Sequence, residues 1–436
     1  MKSDDNVQAV QSELLQRMGW RTTPGILGQH SASAQSIHAL LGYFLKDRTS
    51  PTPFPGRDVL VDSRLFEWGV APPLEKVIAS RKEFDLLMSL PEIYRQSVSV
   101  IEPWENVGIN LQSGIANPRR LASILSAGIA TVIQGGNPAV YDASTFDGTR
   151  ASLEDILALT DELLLHRSSS SGPSIFICLG HQLAAASHIR LIKRAVREVA
   201  NLEYLPIDSQ GRGLASLQRV CAKIAEVGES LPVMKDGEVL ARGWNDSLFA
   251  VAPNEHIEVG TRSLLAYERR DGSAHIPGEL HDAHALVADE LEGVIDTILQ
   301  LERELRIEMF HGDEVNEEAA LFANWAYKLL HDTIVPIRYE LAVSSLSWLL
   351  SLPYALEILS QTRVDESSWT EVSTTCIYYK DWETHTIRRS FTSQFHPELM
   401  ADIRDIGKRD SPRYAELKDN DGVRLFIRLL YHGMQE

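Results

Sequence analysis

The sequence predicts an α/β protein built on a doubly wound, mostly parallel sheet with a helical insertion. Three observations carry that expectation. Short β-rich runs alternate with longer stretches of helical period, the pattern of a parallel sheet with crossover helices. One run, "SIFIC" at 174–178, is apolar throughout, as in a strand covered on both faces. Between 271 and 337 the alternation stops and two helical patterns follow one another.

In chain order, residues 1–55 read as an N-terminal extension: a short amphipathic stretch, "AVQSELLQRM", then polar sequence rich in Ser, Thr and Pro. Residues 56–436 read as one domain. Its expected strands begin with "DVLVD" at 58–62, followed by a helix over about 74–95, then "SVSVIE" (97–102) and "IATVIQ" (129–134). "RASLEDILALTDELLLH" is expected to be a helix, "SIFIC" a strand, and roughly 181–200 a helix. "EVLARG" and "HIEVG" suggest shorter strands. Within the insertion, 271–337, Leu286, Leu291, Val294, Ile298, Leu301 and Leu305 recur at helical spacing, and "NEEAALFANWAYKLLHDTIV" forms a second helical pattern. The insertion is expected over or beside the functional edge of the sheet, because loops there tolerate added chain and carry function. "TEVSTTCIYYKDW" and "HTIRRSFTSQFH" resume the strands, and "DGVRLFIRLLYHG" closes the chain as a helix.

Composition narrows the function. The chain has 436 residues, 44% hydrophobic and 23% charged, with a formal net charge of −18. That acidity disfavours nucleic-acid binding, which needs a basic patch. No apolar run reaches membrane-span length, and the start, "MKSDDNVQAV", lacks the apolar segment of a secretory signal. Three scattered cysteines, Cys178, Cys221 and Cys376, support neither a disulfide framework nor a zinc site. A reducing, cytoplasmic setting is the expectation.

Three segments carry candidate chemistry. Cys178 stands between a predicted strand and a predicted helix, with Gly180 two residues on. A nucleophile at such a turn is exposed above the sheet edge, and the helix N-terminus favours a thiolate. Gly180 is expected to ease the turn. Taken singly, Cys178 reads more readily as a buried core cysteine than as a nucleophile. "SFTSQFHPELM" adds His396 and Glu398, a base with an orienting carboxylate, as a cysteine nucleophile requires. "TVIQGGNP" places Gly135 and Gly136 after a strand, where a backbone N–H can face an oxyanion.

In this order, "QGGNP", "CLGHQ" and "QFHPE" resemble the class I glutamine amidotransferases, the glutaminase family with a Cys-His-Glu triad. "WNDSLFAVAPN" (244–254) and "LSLPYALEILSQT" (351–363) resemble segments of that family between cysteine and histidine. The resemblance spans about 57–254 and 338–436, and implies a flavodoxin-like sheet. It implies that Cys178 attacks the side-chain amide of L-glutamine, that His396 moves the proton and that Glu398 orients His396. The N–H groups of Gly136 and Leu179 would form the oxyanion hole, and Gln182 would hold the amino-acid end of the substrate. A γ-glutamyl thioester is then hydrolysed, and the ammonia passes to an acceptor site.

No phosphate-binding loop or dinucleotide fingerprint occurs in the chain, so the acceptor is expected on a synthetase partner protein. No cofactor, metal, nucleic acid or membrane is expected. A free-standing γ-glutamyl or related amide hydrolase is the alternative, and a non-catalytic regulatory protein on the same fold is the third reading.

The chain departs from the family in four places. Phe176 stands where the family has glycine, and Asn137 separates the glycine pair from Pro138. The gap between Cys178 and His396 is longer than in compact members. The family's His-Ser segment has two rival matches, "TRSLL" (261–265) and "VSSLSW" (343–348). Within the insertion, "HDAH" (281–284) and the Glu308–His311 pair have spacings that fit two metal ligands on one helical face. No matching second Glu-x-x-His accompanies them, so metal binding is not the expectation.

Overall fold

The computed structural model describes residues 98–101, 118–126, 130–147 except 134 and 137, 152–166, 172–206, 211–267 except 236 and 237, 280, 305–363, 370–396, and 421, 422, 425, 429 and 433. The strand expected at 58–62, the helix at 74–95, "HDAH" and Glu398 lie outside these residues.

The fold is mixed α/β. One eight-stranded sheet has the order β1-β2-β3-β10-β9-β8-β6-β7. Its first half is parallel: β1 (Val98–Ile101), β2 (Ala130–Ile133), β3 (Ser174–Ile177) and β10 (Ile387–Ser393). Its second half is antiparallel: β9 (Thr370–Lys380), β8 (Ala355–Arg363), β6 (Val251–Ala266) and β7 (Leu305–Val315). Three pairings are thus parallel and four antiparallel among the described residues, where a mostly parallel sheet was expected. A separate hairpin joins β4 (Pro232–Lys235) to β5 (Glu238–Arg242).

Six α-helices are described: α1 (Pro118–Ser126), α2 (Leu153–Leu165), α3 (Leu179–Ala200), α4 (Arg212–Ser230), α5 (Glu317–Ile334) and α6 (Arg338–Ala342). Ser152 starts α2 with a capping box closed by Asp155, which satisfies two otherwise orphaned backbone donors. Glu317 and Glu318 fill the first turn of α5, where carboxylates oppose the helix dipole. α4 was not anticipated, although "GLASLQRVCAKI" buries Leu214, Leu217, Cys221 and Ile224 at helical spacing.

The helical pattern in the sequence predicts that the long helix continues through 305–310, where β7 (Leu305–Val315) begins. That strand is bonded to β6 over most of its length, so Glu308 and His311 do not share a helical face. Alternation wins here: Leu305, Ile307 and Met309 are buried on one face of the strand. The helix expected over "NEEAALFANWAYKLLHDTIV" is present as α5.

Alternate residues of the central strands feed two cores. Ile377 and Tyr379 join the cluster packed by helices α2 to α5, while Cys376 and Tyr378 join Phe391, Phe395, Leu425 and Leu429 on the other face. The sheet also curls. β6 bonds to β8 only over Leu264–Ala266, and its register with β7 breaks between Pro253 and Glu258. Flat neighbouring strands lie about 4.8 Å apart, which would set β7 three spacings from β9. Instead the two touch through side chains.

α3 lies hard against β2. A Cβ on Gly180 would stand 2.5 Å from the carbonyl oxygen of Ile133. Gly180 is helical and is needed for this close approach, not for a turn as the sequence suggested. Gly180→Ala is therefore expected to cost about 1–3 kcal/mol, the range for overpacking. Denaturant unfolding of the variant, read as a lower midpoint with unchanged slope, checks it.

Candidate functional site

Three parallel strands end at one edge of the sheet, and each delivers a candidate group there. Gly135 and Gly136 follow β2, Cys178 follows β3, and His396 follows β10. In open α/β sheets such carboxyl ends are where ligand sites form.

Cys178 sits at the N-cap of α3 with φ 51° and ψ −108°. A non-glycine residue at that conformation is strained and persists only where its surroundings hold it. Its N–H donates to the Ser393 carbonyl at 2.7 Å, and its own carbonyl accepts the first α3 hydrogen bond, from Gln182 N–H at 3.1 Å. Phe176 does not prevent this turn: it is fully buried in the helix-packed core. Cys178 itself is only 3% exposed. A Cβ on Gly135 would lie 2.7 Å from Cys178 Cβ and 2.7 Å from His396 Cε1, so only glycine fits between them.

The thiol is held in an unusual balance. Burial pushes it up, but the positive charge and hydrogen bond of His396, the charge of His311 and the Gly136 N–H outweigh burial and hold it below the ordinary thiol range. The remaining two cysteines behave oppositely. Burial alone raises Cys221 to about 12, and burial also raises Cys376.

His311 and Glu371 were not assigned a role at this thiol. His311 lies in β7 and Glu371 at the start of β9. The His311 Nε2–Glu371 Oε1 separation is 3.1 Å, with both side chains 1% exposed. His311 Nδ1 donates to the Asp313 carbonyl at 2.9 Å. Burial lowers His311, but the charge and hydrogen bond of Glu371, then the Cys178 thiolate, raise it to about 9. The usable signal was "HGD" at 311–313, a histidine beside a glycine at the end of an alternating strand. It was obscured by the helical reading of the insertion.

Gln182 is buried and its Nε2 donates to the same Asp313 carbonyl at 3.1 Å, tying the first turn of α3 to β7. Asp313 Oδ1 in turn accepts from the Tyr141 hydroxyl at 2.7 Å. Register explains how Glu371 reaches this place. β10 and β9 pair Ser393 with Thr374, and Gln394 N–H donates to the Ser373 carbonyl at 2.8 Å. Continuing that count puts position 371 level with 396.

His181 is a contrasting neighbour. Its Nε2 faces the Val372 carbonyl at 3.2 Å, so Nε2 carries the proton and Nδ1 accepts from the Thr392 hydroxyl at 2.6 Å. Burial depresses it to about 3, and His188 likewise to about 3. Among the described residues no group of three or more His, Cys, Asp or Glu side chains is arranged to hold a metal ion, and no helix is long and apolar enough to cross a membrane. Comparison with family models, with curated proteins and with solved structures finds no match for this chain.

Two outcomes follow. A small thiol-directed electrophile at neutral pH should label Cys178 ahead of Cys221 and Cys376, and peptide mapping that found Cys221 labelled first would contradict the charge balance described. His181 and His188 refuse in the fold the protons they take when unfolded. Stability is then present above their unfolded value of about 6.5 and declines as pH falls towards 3, by about 1.4 kcal/mol per pH unit for each group. Denaturant melts at pH 7 and pH 5 should show a smaller decline for His188→Gln than for the unsubstituted protein.

Proposed function

We propose that this chain is a glutaminase of the class I glutamine amidotransferase type, and that its mixed sheet is a variant of the doubly wound sheet of that family. The observation that carries the reading is the strained Cys178 elbow, with His396 and the Gly136 N–H both directed at its sulfur.

In this reading the Cys178 thiolate attacks the side-chain amide carbon of L-glutamine. The C–N bond breaks as His396 delivers to the leaving nitrogen the proton it took from the thiol, releasing ammonia. The tetrahedral oxyanion lies between the N–H groups of Gly136 and Leu179, the latter an N-terminal donor of α3 with no intrahelical partner. Water then attacks the γ-glutamyl thioester, His396 takes its proton, and glutamate leaves as the thiolate re-forms. Glu398, outside the described residues, orients His396. Gln182 has its amide nitrogen committed to Asp313, so its carbonyl oxygen is the atom available to the substrate's ammonium group. The ammonia passes to an acceptor site on a partner protein, in the cytoplasm.

Glutamate and ammonia release from L-glutamine tests the reading. Cys178→Ala should fall to background while unfolding cooperatively. His396→Ala should lose about 10²–10⁴-fold, the usual contribution of a positioned base. Glu398→Gln should retain more rate than His396→Ala, because an orienting carboxylate is not itself consumed. Near-normal turnover in Cys178→Ala would sink the proposal.

A further inference from the structure

The Cys178 site contains two histidines where a cysteine nucleophile needs one base. We propose that His311 is a positioning residue, a fixed cation held between Glu371 and the Asp313 carbonyl, which keeps Cys178 as thiolate while His396 alone moves protons. The role deepens the glutaminase reading and rests on it only for its use in turnover.

Geometry carries the argument. Both ring nitrogens of His311 face acceptors: a carboxylate oxygen at 3.1 Å and a backbone carbonyl at 2.9 Å. A neutral imidazole has one donor, so only the imidazolium satisfies both with Glu371 ionised. Both N–H groups are thus committed, one to the Asp313 carbonyl of its own strand β7 and the other to Glu371 of β9, and neither is left to pass a proton to a substrate. Asp313 O is itself fixed by Gln182, one turn into the helix that Cys178 caps. The cation is thus tied to the nucleophile's own helix.

The surrounding groups are consistent with a permanent charge. On α3, His181 is neutral, locked by Thr392 and Val372. On β7, Asp313 is bonded to Tyr141, and Glu314 pairs with Lys235 of the β4–β5 hairpin at 3.1 Å. After β10 stands His396, bonded to the thiol. Glu371 is thus the carboxylate that answers His311. Proton bookkeeping closes: the Cys178 proton goes to His396 and then to the leaving nitrogen, while His311 keeps both of its own throughout.

The test needs no substrate. Ultraviolet thiolate absorbance, taken as the difference from Cys178→Ser, is titrated in the unsubstituted protein and in His311→Gln and Glu371→Gln. Both variants should move the thiol titration upward by at least about one pH unit, a tenfold fall in the thiol's acid dissociation constant. An unchanged titration in folded variants would overturn the proposal. Nitrogen NMR of the unsubstituted and His396→Gln proteins supplies a second reading should either charge variant fail to fold. In His396→Gln one buried histidine should stay protonated on both nitrogens at neutral pH, and adding Cys178→Ser should lower the pH at which it loses a proton. A singly protonated ring, or no response to Cys178→Ser, would also overturn it. Shifted thiol titration without glutamine hydrolysis would leave this inference standing and remove the proposed substrate.

Discussion

The backbone of Cys178 is the constraint on which the rest depends. A side-chain-bearing residue at φ 51° and ψ −108° stores about 1–3 kcal/mol of strain, and three separate features hold it there. β3 must lie between β2 and β10 so that Ile177 sits opposite Ser393 and the Cys178 N–H finds the Ser393 carbonyl. α3 must start at once, so that the Cys178 carbonyl accepts from Gln182. The helix must then lie on β2, which Gly180 alone permits. Once these are met, Gly135 and His396 have no choice of position, since both close on the cysteine from neighbouring strands. Strain at the turn and order in the sheet are one requirement seen from two sides.

Burying four ionisable side chains together is tolerable only because they answer one another. Cys178, His311, Glu371 and His396 are all 6% exposed or less. Any one of them ionised alone would be strongly disfavoured. His181 shows what happens to an imidazole in the same surroundings without a carboxylate: it becomes neutral, with one nitrogen donating and the other accepting. His311 differs in having Glu371 on its Nε2. A single buried carboxylate therefore separates a histidine that packs from a histidine that charges the site.

Much of this was legible in the sequence. The parallel strands β1, β2, β3 and β10 stand out as short β-rich runs, and Cys178, Gly136 and His396 could be named because each follows such a run directly. The missed parts have physical causes. In 286–309 apolar residues fall at helical spacing and, within 305–309, also at every second position, so a short strand hides inside a helical pattern. With β7 lost, His311 had no strand to carry it to the sheet edge. Glu371 was invisible for another reason: its neighbours in the site come from β7 and the end of β10, and nothing local marks a glutamate as buried. Gly180 was given a turn role because glycine near a turn is usually conformational, whereas here the positive φ belongs to the cysteine.

The antiparallel half of the sheet then acquires a purpose that a wholly parallel sheet could not serve. A strand parallel to β10 would begin at the opposite edge from His396. Position 371 opens an 11-residue strand, so running β9 the other way would carry it roughly 30 Å off, at about 3.3 Å per residue. Because β9 is antiparallel, its first residues lie beside the last residues of β10, and Glu371 arrives at the edge where Cys178 stands. Curling brings β7 over β9 and sets His311 on that carboxylate. The parallel strands bring the Cys178 thiol, His396 and the Gly136 N–H to this edge, and the antiparallel strands bring the buried His311–Glu371 pair. The direction reversal at β9 is what joins these two sets of groups at one sheet edge.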